Sequence, residues 1–341
     1  MRTPRNCNDF LKQFGSEVFR SLITRRSLFS LLPSFCLGAF FPALAPGASP
    51  LDRIAANWPA QFTGPRTRRY RADVIVTFLG IPVFSRASVG SANITVEEGT
   101  TQDNAQTVAL RFAAGSVPER TKGLNRLGYI QELVVCRNTD VLESAYFGFM
   151  TSSPESNYDE DRKALGPDAK DAVAYTAVQG SAVRSKCSYE LYQMVLPGTW
   201  TFAHCDEVVR HVRASLSRKE LKLTRAETSA DLQSPRTFLY AVREAIQSGS
   251  KRIQTPFLYN GKPFKLDVEK GPDPKTAQHF VSKKLVASAS SVLRLNGSIQ
   301  NLQSGDKTPF RVWFEKDSDL PLRFEYRPRG YLNLAFEQYE S

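Results

Sequence analysis

From about residue 70 onward the chain alternates apolar and polar positions in short runs. Phe264, Leu266 and Val268 share one parity, as do Phe310, Val312 and Phe314, then Phe324 with Tyr326, then Leu332, Leu334 and Phe336. A period of two places such side chains on one face of an extended backbone. The runs at 257–270, 279–300, 308–317, 320–327 and 331–336 therefore read as half-buried antiparallel strands. Tyr70, Ala72, Val74, Val76 and Phe78 repeat the pattern near the start, and Gly80-Ile81-Pro82 bends the chain before it continues extended through Ile94 and Val96. Further strands are predicted at 107–115, 128–136 and 141–150.

Helical spacing occurs in two places. At 206–223, Val208, Val209, Val212 and Leu216 lie on one face, with Arg210, Arg213, Arg218 and Lys219 largely outside it. At 234–249, Ser234 offers a cap, Pro235 a first-turn residue, Phe238, Leu239, Val242 and Ile246 an apolar stripe, and Gly249 a stop. A short helix around 51–58 is a further possibility. The Ser-, Pro- and Asp-rich stretch 151–184 reads as a surface excursion, 187–205 as a short amphipathic helix or a strand, and 224–233 as polar linker.

The fold class that follows is mainly β: a curved antiparallel sheet or incomplete barrel with one or two packed helices. The strands of 70–150 and the helix and strands of 234–336 are expected to share one sheet system. The segment 48–69 leads into it, and 151–233 forms a loop and helical insertion. No βαβ unit is visible in the N-terminal half, which argues against a doubly wound nucleotide-binding fold.

Composition refines this picture at the N-terminus. Of a formal charge of +11, residues 1–47 contribute six bases against two acids, leaving about +7 for the rest. Arg25 and Arg26 precede an apolar run from Leu28 to Leu44 that is interrupted by Pro33 and Pro42 and followed by small residues. That is the form of an export signal, and the adjacent arginines resemble a twin-arginine signal, with cleavage expected at 45–48 and an uncleaved anchor as the alternative. The expected location is the periplasm, or its outer-membrane face, with the twin-arginine translocase as partner during export. The basic balance favours anionic partners, and no basic run resembles a nucleic-acid tract.

Five cysteines become three after the signal: Cys136, Cys187 and Cys205. Export permits disulfides, and Cys187 with Cys205 is the expected pair, closing a loop worth roughly 3 kcal/mol. Cys136 ends an apolar run and reads as a buried hydrophobe. His204 beside Cys205 is badly placed as a base, since neighbouring residues diverge on strand and helix alike. The chain has no G-x-S-x-G, HExxH, Walker or dinucleotide motif, and its acidic pairs are adjacent residues in loops. No catalytic residue, metal ligand or cofactor is therefore assigned.

Four pieces together resemble the exported proteins of domain-of-unknown-function family 3108. They are Leu79-Gly80-Ile81-Pro82-Val83, Phe238-Leu239-Tyr240-Ala241-Val242-Arg243, Tyr259-Asn260-Gly261-Lys262-Pro263-Phe264, and Phe310 to Glu315 leading into Leu320-Pro321-Leu322-Arg323-Phe324. The resemblance spans about 70–336, with 187–205 and 206–223 departing from it. It implies a curved-sheet exported protein that wraps lipid, lipoprotein or envelope polymer. The leading functional expectation is thus a non-enzymatic envelope protein with an amphiphilic or anionic ligand in a groove, contacted by Trp313, Tyr326, Arg311 and Arg323, with Arg71 and Arg327 as further cations. The alternative is an assembly factor pairing with another envelope protein through a strand edge. A hydrolase ranks below both.

Overall fold

The computed structural model describes residues 48–339 except 79–80, 122, 124, 139, 152–171, 184–185, 230–235, 260–261 and 330–331. The expected export signal and the Ser234 and Pro235 cap lie outside the described residues. Helix α1 (Pro50–Asn57) is followed by strands β1 (Ala60–Phe62), β2 (Arg66–Phe78), β3 (Ile81–Thr101), β4 (Gln106–Ser116), β5 (Leu127–Arg137), β6 (Asp140–Thr151), β7 (Val173–Val183) and β8 (Lys186–Leu196). Helix α2 (Cys205–Ser217), β9 (Lys222–Ser229) and helix α3 (Phe238–Gln247) come next. The chain closes with β10 (Arg252–Tyr259), β11 (Lys262–Gly271), helix α4 (Pro274–Ser282), β12 (Val292–Asn301), β13 (Lys307–Glu315), β14 (Pro321–Arg329) and β15 (Leu332–Gln338).

All the strands belong to one antiparallel sheet, in the order β10 through β15, then β2 through β9, with β1 paired off this path to β3. Sequence neighbours pair throughout, except that β15 pairs with β2, Leu334 opposite Val74 and Phe336 opposite Ala72. The sheet thus has two ends, β9 and β10, and is not closed into a complete barrel. The expected fold class is borne out: the protein is mainly β with several helices.

Alternation gives each strand two distinct faces, and both are used. Ala109, Ala113, Leu133, Val135, Phe147, Phe149, Tyr175 and Met194 pack with Leu51 and Ile54 of α1 and Val208 and Val212 of α2. The opposite parity of the same strands carries Val108 and Leu110, which meet Leu239 and Tyr240 of α3. Phe257, Phe264, Leu266, Leu295, Phe310 and Val312 from the other end of the sheet pack on α3 as well. One helix touching both ends of a sheet requires the sheet to curl toward it, so α3 lies on the concave side. Helices α1 and α2 lie on the convex side, and so does α4, whose Ala277 and Phe280 cover Trp313 and Val292.

The two ends of the sheet overlap. Leu258 points away from Phe257, out of the convex face of β10, yet it is buried against Ala182 and Cys187 from the concave parity of β7 and β8. The β7–β9 end therefore laps over the outside of β10.

The expected Cys187–Cys205 disulfide is overturned: both cysteines are free and buried. Cys187 faces the overlap seam on the concave side, whereas Cys205 opens α2 within the convex cluster. The sheet itself separates the two sulfurs. Segment 187–205 resolves its two alternatives as strand β8. The excursion 151–184 contains β7, and the linker 224–233 contains most of β9. The run 279–300, expected to be one strand, divides into the last turn of α4 and most of β12.

Candidate functional site

Helix α3 fills only part of the concavity. It begins at Thr237, whose backbone bridges in parallel to Leu258, and Phe238 meets Tyr259 and Phe310 edge-on and Phe257 at a tilt. It ends toward the β3–β4 and β13–β14 turns, where Arg243 binds Glu98 and reaches Asp319 at 2.9 Å. Asp319 is in turn held by Arg66 at 2.8 Å. Arg243 and Asp319 are both buried, and their pairing fixes the far end of the helix.

The near end is fixed by Glu132. This residue follows the concave parity of Val134 on β5 and is 1% exposed. Its carboxylate accepts from the Thr237 hydroxyl and, at 3.0 Å each, from the Leu239 and Tyr240 amides. Those amides are among the first N–H groups of α3, which have no partner inside the helix, so an acid from a neighbouring strand serves as its cap. Burial pushes the Glu132 pKa up to about 7, against the opposing pull of the Thr237 hydroxyl and the Leu239, Tyr240 and Phe238 amides. Tyr259, on the last residue of β10, is also raised, first by burial and then by the proximity of Tyr326 and Glu132.

Beyond the N-terminus of α3 the concave face carries a layer of rings. Phe324 and Phe336 stack with centroids 4.5 Å apart, and Phe112 from across the sheet meets them edge-on at 5.7 and 6.3 Å. Phe112, Phe324 and Phe336, with Tyr326, Leu334 and Ile130, are only half-buried, unlike Phe264 and Phe314 beneath the helix. Phe324 and Tyr326 pack against the cluster beneath the helix, and these inward-facing rings, still partly solvent-accessible, continue its apolar surface along the concave face.

The four ligand residues expected from the sequence fall on two faces. Tyr326 lies in the concave layer. Trp313 projects to the convex side, 2% exposed, where its indole donates to Asp273 at 3.0 Å. Arg323 is paired with Trp313 across β13–β14 and lies 5.5 Å over its ring. It reaches Glu325 at 2.5 Å and Glu337 at 2.9 Å, while Arg311 stands 3.6 Å from Glu325. Arg71 continues this row opposite Glu337 and lies over the ring of Tyr339. Glu337 also meets His279 at 3.0 Å and Lys283 at 2.5 Å. Burial works to raise the Glu337 pKa, but the bonds from Lys283 and His279 and the charge of Arg323 prevail, and it lies below the usual value. Trp313, Arg311 and Arg323 thus share a convex ion-pair row that seats α4, separate from the aromatic layer containing Tyr326.

Sequence reasoning missed Glu132, Phe112 and Phe336 as site residues. A signal for Glu132 was present: it is the single charged residue among Ile130, Val134 and Cys136, which share its parity. Phe112 and Phe336 carry no such signal, because alternation gives a residue's face and not the strand it will meet across a curl. Among the described residues, no group of three or more His, Cys, Asp or Glu side chains is placed to hold a metal, and no helix is long and apolar enough to cross a membrane.

No family model matches the chain, and no curated protein matches it. Among solved structures, the chain is similar to the crystal structure of a beta-barrel-like protein of domain of unknown function DUF1849 from Brucella abortus, with 12% identity, a TM-score of 0.41, and coverage of 80% of this chain and 95% of that one.

Proposed function

We propose that the protein is a non-enzymatic component of the bacterial envelope that holds the hydrocarbon part of an amphiphile, a lipid or the acyl chain of a lipoprotein, on the concave face of its curled sheet. The observation that carries this reading is the half-buried stack of Phe324 and Phe336 with Phe112 edge-on, beyond the N-terminus of α3. A concave face lined by rings suits a flexible chain, which buries area at about 25 cal/mol per Å² without needing a matching polar surface. The export-type N-terminus supports placing that ligand in the periplasm. The convex arginine row lies on the opposite face, so Arg311 and Arg323 enter this reading as supports of the sheet.

The test is native mass spectrometry of the protein purified from periplasm, followed by organic extraction, with a fluorescent C16 fatty acid as the added probe. The wild type is expected to carry an amphiphile and to bind the probe, and Phe336→Asp to lose both while keeping its far-UV circular dichroism. A wild-type protein that carries no amphiphile and does not bind the probe would overturn the reading.

One observation favours a second reading, assembly through a strand edge. No described strand pairs on the far side of β9, Lys222 to Ala226 are exposed along it, and Leu223 is 51% exposed. The edge of β10, by contrast, carries Pro256 and is capped where Arg236 accepts from the Leu258 amide at 2.8 Å. Photocrosslinking from position 223 in cells distinguishes the readings: a discrete protein adduct favours assembly.

A further inference from the structure

Beyond seating α4, the convex ion-pair row leaves a surplus of cations at the surface. The Glu337 carboxylate pairs with Arg323 at 2.9 Å, Lys283 at 2.5 Å and the His279 ring at 3.0 Å, and Arg71 stands opposite it on β2. Glu325 is shared by Arg323 at 2.5 Å and Arg311 at 3.6 Å. Asp73, two residues along β2 from Arg71, accepts from the Ser88 amide at 2.7 Å. Among the described residues neither Arg71 nor Lys284 makes an ion pair; both are exposed, and Arg71 lies over Tyr339, 4.7 Å from the ring centroid. Acids and cations are layered. The side chains of Glu325 and Glu337 are 9% and 14% exposed, whereas that of Lys283 is 52% exposed. The carboxylates lie beneath, and the charges they do not cancel lie outside.

We propose that this face docks the protein on an anionic phospholipid surface, with Arg71, Lys283 and Lys284 meeting phosphate groups and Tyr339 seated among the headgroups. The width of the row argues for a surface and against one bound phosphate. From Arg311 on β13 to Arg71 on β2 it crosses four neighbouring strands, about 14 Å at the usual strand spacing. A ring with a polar tip suits a membrane interface, and Tyr339 is 37% exposed next to Arg71. Each surface cation contributes to such docking separately, about fivefold in affinity for an anionic membrane, and salt screens the attraction. The proposal goes beyond the amphiphile reading and does not rest on it, because the face concerned is on the other side of the sheet.

Cosedimentation of the protein purified from periplasm with lipid vesicles tests the docking face. The wild type is expected to bind vesicles of phosphatidylcholine containing about 30% phosphatidylglycerol at about 50 mM salt, to leave them at about 500 mM, and to bind pure phosphatidylcholine weakly at both. Arg71→Gln with Lys283→Gln should lower the partition coefficient roughly twenty-five-fold. Lys219→Gln with Lys307→Gln, the same loss of charge at exposed positions elsewhere, should lower it little. An environment-sensitive fluorophore on Tyr339→Cys should shift to the blue on the anionic vesicles, and one on Leu302→Cys, in the exposed β12–β13 turn, should not; this pair reads the docked face even if the double variant does not fold. A wild type that does not bind the anionic vesicles at low salt, equal losses in the two double variants, or a fluorophore at 302 that shifts as much as one at 339 overturns the docking face. The fluorescent C16 fatty acid separates the two proposals: probe bound without vesicle binding sinks the docking face alone, and vesicle binding without the probe sinks the amphiphile reading alone.

Discussion

Gly297 on β12 shows how tightly the strands approach. A Cβ there would run into the carbonyl oxygen of Asp267 and lie 2.8 Å from the Val268 Cα, both backbone atoms of β11 that cannot swing aside. Gly297→Ala should therefore cost roughly 1–3 kcal/mol, read as a lower urea midpoint, whereas Gly249→Ala, with nothing within 4 Å of the added methyl, should leave the midpoint nearly unchanged. Glu132 sets a pH dependence of the opposite origin. Its folded pKa of about 7 lies above the ordinary glutamate value of 4.5, so the stability it contributes is present below the lower value and lost as pH rises through the upper one. That is about 3 kcal/mol at most for a shift of this size. Thermal melts should show the protein less stable at about pH 8 than at about pH 5.5, with the difference reduced in Glu132→Gln; a flat profile in the wild type would refute the assignment. Glu337 works the other way, because its lowered pKa gives stability that is lost only as pH falls through that value. At this scale the sequence was informative about parity: an acid at an inward position is legible, and the ring it will face across the curl is not.

Helix α4 is the clearest case of an element that alternation misplaces. The stretch His279, Phe280, Val281, Ser282 reads as extended, yet Asp273 caps the first turn, Pro274 occupies its first position, and Lys284 ends the helix region with a positive φ of 60°. These start and stop signals were in the sequence, and the short alternating run outweighed them. Strands β7 and β9 were missed for another reason. β7 is rich in small residues, and β9 has an exposed polar stretch at the edge of the sheet, so neither shows the contrast from which periodicity is read. Asp273 binds more than its own helix: it accepts from Thr276, from the Trp313 indole at 3.0 Å and from Arg294 at 2.9 Å. Asp273→Ala removes the cap and leaves a buried indole N–H without its acceptor, an expected loss of about 2–4 kcal/mol. The same variant should change the near-UV circular dichroism contributed by Trp313 while leaving the strand signal intact. An unchanged near-UV spectrum would mean that α4 is seated by its apolar contacts with Phe280 alone.

The whole molecule is held as one sheet by the pairing of its last strand with one of its first, Leu332 to Gln338 of β15 against Tyr70 to Val76 of β2. Alternation along each strand made the open, mainly β architecture legible, because burying one face of many antiparallel strands forces a curved sheet. It gave no way to see that β15 would lie beside β2, since neighbours distant in sequence are chosen by shape and ring packing across the curl. The same pairing makes a prediction about cooperativity. Without β15, the sheet falls into two meanders, β2–β9 and β10–β14, joined by the 230–251 connection, by α3 and by the overlap at Leu258. The half-buried Phe336 is also lost, and with it the ring contacts to Phe324 and Phe112. A chain ending at Arg329 should therefore lose the single cooperative unfolding transition of the full-length protein. It should either melt in two steps or remain partly unfolded, with the half containing Phe112 and Tyr70 affected first, since Phe112 loses the Phe336 ring and Tyr70 its strand partner Gln338. If the truncated chain instead unfolds in one transition at the full-length midpoint, then the helix and the overlap, and not the β15–β2 ladder, hold the two meanders together.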